Sequence, residues 1–200
     1  MITLQPLFDM SPGWRLVFWA SFTAWMLSEM WVFLRDARAA SGARTDRGSR
    51  FLIIVLVWFG LWGAFAFAYG LDGWRIDVEP RVLFPASIAL IWTGMLLRIW
   101  SVLTLGRFFR TSVIVQDDHK LIRRGPYKVL RNPSYTGALI SLAGVCLAMG
   151  SWASVAAGMG CLLVAYAWRI RVEERALKER FGADFDQYRR STWALIPFVW

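Results

Sequence analysis

The chain has 200 residues, 57% of them hydrophobic, with 13 tryptophans and a net charge of +9. Soluble domains average only about 45–50% apolar residues, and here the excess lies in long uninterrupted runs, which excludes a water-soluble fold and points to a bilayer. The arginines sit in short loops between those runs, a placement that fits membrane orientation and argues against nucleic-acid binding.

Five apolar segments follow in chain order, at residues 14–34, 51–70, 82–105, 135–150 and 152–170. The first three reach the roughly 20 residues that a helix needs to cross the hydrocarbon core. The last two are shorter, and only Gly150 and Ser151 separate them, so they read as a tight helical hairpin. The fold class expected is therefore an all-α polytopic membrane protein with about five transmembrane helices and a C-terminal amphipathic helix. It forms one membrane domain, residues 1–105 being a three-helix part and 106–200 the functional core.

Loop charges orient the chain. Residues 35–50 carry Arg35, Arg38, Arg44, Arg47 and Arg50 against two aspartates, and residues 106–134 are basic again. The loop 71–81 is acidic on balance, through Asp72, Asp77 and Glu79. The positive-inside rule places the two basic stretches in the cytoplasm, the N-terminus outside and the C-terminus inside. A cleavable signal is not expected, because the N-terminus lacks a basic region and the first apolar run contains Glu29. Cys146 and Cys161 lie inside apolar segments without zinc-like spacing, so no metal site is expected.

Two charges fall inside apolar segments, Glu29 in the first and Arg98 in the third. Buried charge in a membrane is costly and faces a partner or a wet cavity. Either the two meet in the cytoplasmic half, or each snorkels to the interface by itself.

Residues 106–134 are long for a connector and contain the single histidine, His119. Gly125-Pro126 makes a turn, and Asn132-Pro133 makes another, with Pro133 suited to the first turn of the fourth helix and Asn132 to its N-cap. Arg131 beside that helix N-terminus is suited to an anion. Tyr127 and Tyr135 supply ring faces for a sulfonium or an adenine. Gly137 allows close approach of a ligand or of backbone. The same residues also suit an ordinary membrane interface.

The stretch 169–188 begins where the fifth segment ends. Val172, Ala176, Leu177 and Phe181 form an apolar helical stripe, Gly182 suits a C-terminal cap, and Phe185 and Tyr188 continue a second piece. Arg169 and Glu173 are four apart, and Arg171 and Glu174 three apart, so each pair shares a helix face. That spacing also describes a solvated, salt-bridged helix.

Taken in order, the motif from His119 to Gly137, the hairpin, and the motif from Arg169 to Tyr188 resemble the isoprenylcysteine carboxyl methyltransferase family. More distantly, they are similar to membrane phospholipid N-methyltransferases. The resemblance spans about residues 95–198. It implies a small multi-helix membrane enzyme that binds S-adenosyl-L-methionine on the cytoplasmic side, without the Gly-rich strand-to-helix fingerprint of a Rossmann domain. It implies that His119, Leu121, Gly125, Tyr127, Arg131, Asn132, Pro133, Tyr135 and Gly137 shape the cofactor pocket, which Glu173 and Glu174 close. Arg169 and Glu174 match the family's positions nearest the reacting groups. Arg169 would hold an acceptor carboxylate, and Glu174 would orient Arg169 or the cofactor's amino group.

Asn132 stands where the family commonly has histidine, which removes any role that needs an imidazole, and Phe185 replaces a common tyrosine. The implied reaction is carboxyl O-methylation of an isoprenylcysteine-like or other lipophilic acceptor that enters from the bilayer, with a bacterial inner membrane as the expected location. Alternatives are methylation of a lipid amine or phenol, an NADPH-dependent membrane reductase on a related helical core, and a non-enzymatic membrane scaffold.

Overall fold

The computed structural model describes residues 5–39, 47–70, 72–106 and 121–198. Among the described residues six α-helices follow one another: α1 (Pro12–Ala39), α2 (Arg47–Gly70), α3 (Pro80–Leu105), α4 (Pro133–Leu147), α5 (Trp152–Phe181) and α6 (Ala183–Arg190). Among the described residues there is no named strand, only two isolated β-bridges, Arg75 with Ser151 and Leu130 with Trp193. The expected all-α membrane architecture is present.

Among the described residues three helical stretches are long and apolar enough to cross a membrane, namely Pro12–Arg35, Pro80–Leu105 and Trp152–Phe181. Ile53–Tyr69 and Pro133–Leu147 are apolar but shorter. At 1.5 Å per residue the 15 residues of α4 rise only about 22 Å, against a hydrocarbon core of about 30 Å. The segment expected at 135–150 is thus shifted toward Pro133 at one end and gives way to a turn after Leu147 at the other. A second difference concerns α5, which runs 30 residues without a break. The stretch expected as a separate juxtamembrane helix is its continuation.

Packing follows the small residues. α3 and α4 cross so closely that a Cβ on Gly94 would lie 2.4 Å from the Gly137 carbonyl oxygen, and one on Gly137 would lie 2.6 Å from that of Gly94. Ser141 Oγ donates to the Ile91 carbonyl at 3.0 Å in the same seam. In a membrane, where lipid tails are as apolar as leucine, such close backbone approach drives helix association. α2 packs on α5, where Ser154 Oγ donates to the Ala64 carbonyl at 2.7 Å. α1 leans on α3 through Trp14 stacked on Phe84, centroids 4.5 Å apart, and through Trp92 Nε1 donating to Ser21 Oγ at 3.1 Å. Outward faces carry exposed large apolar side chains such as Leu16, Trp62, Leu96 and Val164, which suits lipid contact and not water.

One end of the bundle is tied by the turn after α4. The Gly150 carbonyl accepts Ile76 N–H at 3.1 Å, and the Ala148 carbonyl accepts Phe8 N–H at 3.4 Å. At the other end, α6 folds back from α5 at Gly182, whose φ of 51° favours glycine. That reversal carries the chain end to the start of α4.

Candidate functional site

The first motif is held in place by the C-terminal segment. Trp193 N–H donates to the Val129 carbonyl at 2.9 Å, Arg131 N–H to Trp193 at 2.7 Å, and Asn132 N–H to Ala194 at 3.2 Å. Thr136 Oγ1 donates to the Leu195 carbonyl at 2.7 Å, and Tyr188 Oη to the Tyr127 carbonyl at 2.8 Å. Residues 192–195 thus form a strap laid along residues 129–132. Burial pushes the Tyr188 phenol up to about 12, with Arg131 and Arg123 pulling the other way. Burial also raises the Tyr127 phenol, seconded by Tyr188.

Several expected pocket residues serve this architecture. Arg131 Nε bonds Glu174 Oε1 at 2.8 Å, while Nη1 donates to the Arg189 carbonyl at 3.0 Å and to that of Thr192. Nε and Nη1 are thus engaged inside the chain. Asn132 occupies the N-cap position with Pro133 in the first turn, but its side chain makes no capping bond; Nδ2 donates to the Ala194 carbonyl at 3.1 Å instead. Tyr127 is buried against Tyr188. Gly137 makes room for α3 backbone, the backbone alternative of its two expected uses. Gly125, at φ 57°, opens the turn Gly125–Lys128, and Leu121 is half-buried. His119 lies outside the described residues.

Other expected residues do meet. Tyr135 Oη donates to Glu173 Oε1 at 2.7 Å, and Arg169 Nε donates to the same oxygen at 2.8 Å. The Tyr135 and Tyr166 rings lie 4.4 Å apart. Arg169 is 1% exposed, and a carboxylate that it bonds on the helix is Glu173; of the two uses that the resemblance implied for Glu174, orienting Arg169 or the cofactor's amino group, no bond between Glu174 and Arg169 is seen among the described residues. Glu174 instead pairs with Arg131 and, at 3.7 Å, with Arg189. Arg171 is exposed.

Tyr135 and Tyr166 also face a cavity of about 350 Å³ between the helices, within the range of small-molecule sites. Its walls are apolar: Trp25, Met26 and Phe33 from α1, Ile53, Val57 and Trp58 from α2, and Ala138, Leu142 and Leu162 from α4 and α5. Its polar end holds Glu29 and Arg98. These two pair, with Arg98 Nη2 donating to Glu29 Oε2 at 2.7 Å, while Arg98 Nη1 donates to the Ser134 carbonyl and hydroxyl, both at 3.1 Å. The meeting of the two charges replaces separate snorkelling.

Sequence reasoning did not single out Tyr166, Ser134 or the α1 and α2 walls as site components. Tyr166, Arg169 and Glu173 are spaced three and four apart, a shared helix face that was available as a signal. The α1 and α2 walls carried none, since apolar residues lining a cavity and apolar residues facing lipid read alike.

A family model described as phospholipid methyltransferase matches residues 83–184. The probable protein-S-isoprenylcysteine O-methyltransferase of Oryza sativa subsp. indica is 30% identical over 115 residues, covering 56% of this chain and 60% of that protein. Protein-S-isoprenylcysteine O-methyltransferase B of Arabidopsis thaliana is 32% identical over 115 residues, covering 56% of this chain and 58% of that protein. The chain thus spans less than two thirds of the length of these relatives. The structure of the eukaryotic intramembrane Ras methyltransferase ICMT superposes with a TM-score of 0.65 at 20% identity, over 96% of this chain and 70% of that one. That likeness speaks for the fold.

Proposed function

The chain belongs to the phospholipid methyltransferase family, and we propose that it is an integral membrane enzyme that methylates a lipophilic acceptor with S-adenosyl-L-methionine. The observation that carries this reading is Tyr135, which lines the apolar cavity and at the same time bonds Glu173. One side chain thereby joins the polar machinery of both motifs to a space suited to an apolar tail. In the topology proposed, all five long or apolar helices cross or enter a bacterial inner membrane as a single domain, the N-terminus outside and the reacting groups on the cytoplasmic side, in line with the loop charges.

The residues present fit a sulfonium donor. Glu173 and Glu174 are carboxylates at 20% and 16% side-chain exposure, and the Tyr135 and Tyr166 rings offer π faces, two groups that attract a cation. Bound S-adenosylmethionine supplies the methyl group. Glu173 and Tyr135 would hold that donor at the cavity wall. Arg169 positions Glu173 through the 2.8 Å bond, and Arg98 stands at the acceptor end. Arg131 and Glu174 lock the strap to α5. The apolar walls exclude water, so catalysis rests on positioning and desolvation.

The test is to purify the chain in detergent and measure binding of S-adenosylmethionine against NADPH. A lipid extract is then supplied with methyl-labelled donor. Binding of S-adenosylmethionine and label in an extractable lipid are expected. Selective NADPH binding would point to a reductase, and binding of neither to a scaffold.

A further inference from the structure

The chemistry of the acceptor can be read from the polar end of the cavity, given the methyltransferase reading above. Arg98 is paired with Glu29 and hydrogen-bonded to Ser134 there. Nη2 is on Glu29 Oε2, both Nη1 bonds go to Ser134, and Nε lies 2.5 Å from Glu29 Oε1. Among the described residues, α2 adds Ile53, Ile54, Val57 and Trp58 to this cavity, and α4 and α5 add Tyr135 and Tyr166. Guanidinium and carboxylate therefore cancel, and the described residues at the head of the cavity carry no net charge.

A carboxylate acceptor fits that arrangement poorly. It would have to displace Glu29 from Arg98 and leave a second carboxylate without a partner in an apolar cavity, which is the costly way to break a buried pair. It also has no use for Glu29, since a carboxylate is already ionised at neutral pH and needs no base. A neutral hydroxyl has the opposite needs: a base within reach, and a cation beside the oxygen as it gains charge. Glu29 and Arg98 supply both. Each Glu29 oxygen faces one guanidinium nitrogen, and a carboxylate oxygen has a second lone pair, through which Glu29 can also accept an O–H from the cavity that it lines. Moreover, Glu29 sits on α1, outside the family match at 83–184, so this feature need not follow the relatives' acceptor.

We propose that the acceptor is a weakly acidic hydroxyl compound, a phenol or enol on an apolar tail, and that Glu29 is the base that takes its proton. The acceptor O–H bond breaks and the proton passes to Glu29. The oxygen forms a bond to the methyl carbon, whose bond to sulfur breaks with the electron pair kept by sulfur. The products are a methyl ether, S-adenosylhomocysteine and protonated Glu29, which returns its proton to water. Arg98 stabilises the oxyanion between these events.

The experiment offers the detergent-solubilised full chain two probes, 4-dodecylphenol and N-acetyl-S-farnesylcysteine, with methyl-labelled S-adenosylmethionine. Label is expected in the phenol as its ether, in preference to the carboxylate. Glu29→Gln should lower kcat on dodecylphenol about 100-fold with little change in KM, and a nitrated dodecylphenol, ionised at the assay pH, should recover turnover. Without donor, equilibrium dialysis should show Glu29→Gln gaining affinity for N-acetyl-S-farnesylcysteine, because Arg98 is released. Preferential methylation of the carboxylate by the unaltered chain overturns this inference and leaves the methyltransferase reading standing. So does label in neither probe while S-adenosylmethionine binds. Failure to bind S-adenosylmethionine overturns both. If Glu29→Gln does not fold, the probe preference of the unaltered chain and the turnover of Glu29→Asp decide the matter.

Discussion

Tyr135 and Glu173, 38 positions apart in sequence, meet across α4 and α5 with the tyrosine hydroxyl donating to Oε1 at 2.7 Å. The same oxygen accepts Arg169 Nε at 2.8 Å. One carboxylate oxygen therefore fixes a ring on one motif and a guanidinium on the other, and the position of the tyrosine at the cavity depends on it.

Tyr135→Phe removes this link while keeping the ring. A hydrogen bond to a charged group contributes about 1.5–3 kcal/mol to stability; its loss leaves the ring and Glu173 less firmly placed, so S-adenosylmethionine affinity should fall. Equilibrium dialysis with labelled donor checks this. An unchanged dissociation constant would remove Tyr135 from the donor site.

Arg169→Ala acts differently. Arg169 is 1% exposed and bonded to Glu173, so its removal withdraws a guanidinium from a partly buried carboxylate. Breaking a buried pair from one side costs about 3–5 kcal/mol. The expected result is a lowered thermal midpoint in detergent together with lost turnover. Lost turnover at an unaltered midpoint would indicate direct contact with the acceptor, the role that the sequence assigned to it.

Gly137→Ala tests the helix seam. The added methyl would lie 2.6 Å from the Gly94 carbonyl oxygen and 2.7 Å from the Arg98 nitrogen, and backbone on a packed helix has little room to yield. Overpacking costs about 1–3 kcal/mol, and the shift would also move Arg98. Both stability and acceptor binding should fall, as read by thermal denaturation and dialysis. Loss of donor binding alone would instead place Gly137 against the donor.

The sequence disclosed the helices and both motifs because apolar runs and turn residues are local signals. Pro133 opening α4 and Gly182 closing α5 behaved as their backbone chemistry requires. It did not disclose where Arg131 Nη1 donates, because its partners are the backbone carbonyls of Arg189 and Thr192, some 60 positions away. Any residue type presents a carbonyl, so no pattern marks one. The pairing of Glu29 with Arg98 was half legible. The cost of each charge alone suggested a partner, and only the packing of α1 on α3 chose between pairing and snorkelling.

The strap should loosen in alkali. The Tyr188 phenol is raised from its ordinary value near 10 to about 12 by burial, so the folded state holds the proton more tightly than the unfolded chain. The resulting stability is fully present below pH 10 and is lost as pH rises through about 12. Tyr188→Phe, which removes the bond to the Tyr127 carbonyl, should cost about 1 kcal/mol at neutral pH and flatten that loss. Thermal midpoints of both proteins between pH 8 and pH 12 make the comparison. Parallel curves would show that the hydroxyl does not hold the strap.

The pair of Glu29 and Arg98 should behave as one unit. The side chains are 24% and 11% exposed, so water screens them weakly. Arg98→Gln leaves Glu29 at the cavity without its cation, and Glu29→Gln leaves Arg98 with only Ser134. Each should destabilise by about 3–5 kcal/mol, because a charge left buried alone is costlier than a neutral pair. In the double variant neither charge remains, so its cost should fall well short of the sum of the two. A double-mutant cycle measured by unfolding in mixed micelles gives the difference directly. Additive costs would show that the two charges are solvated separately, and would remove the neutral cavity head on which the choice of a hydroxyl acceptor rests.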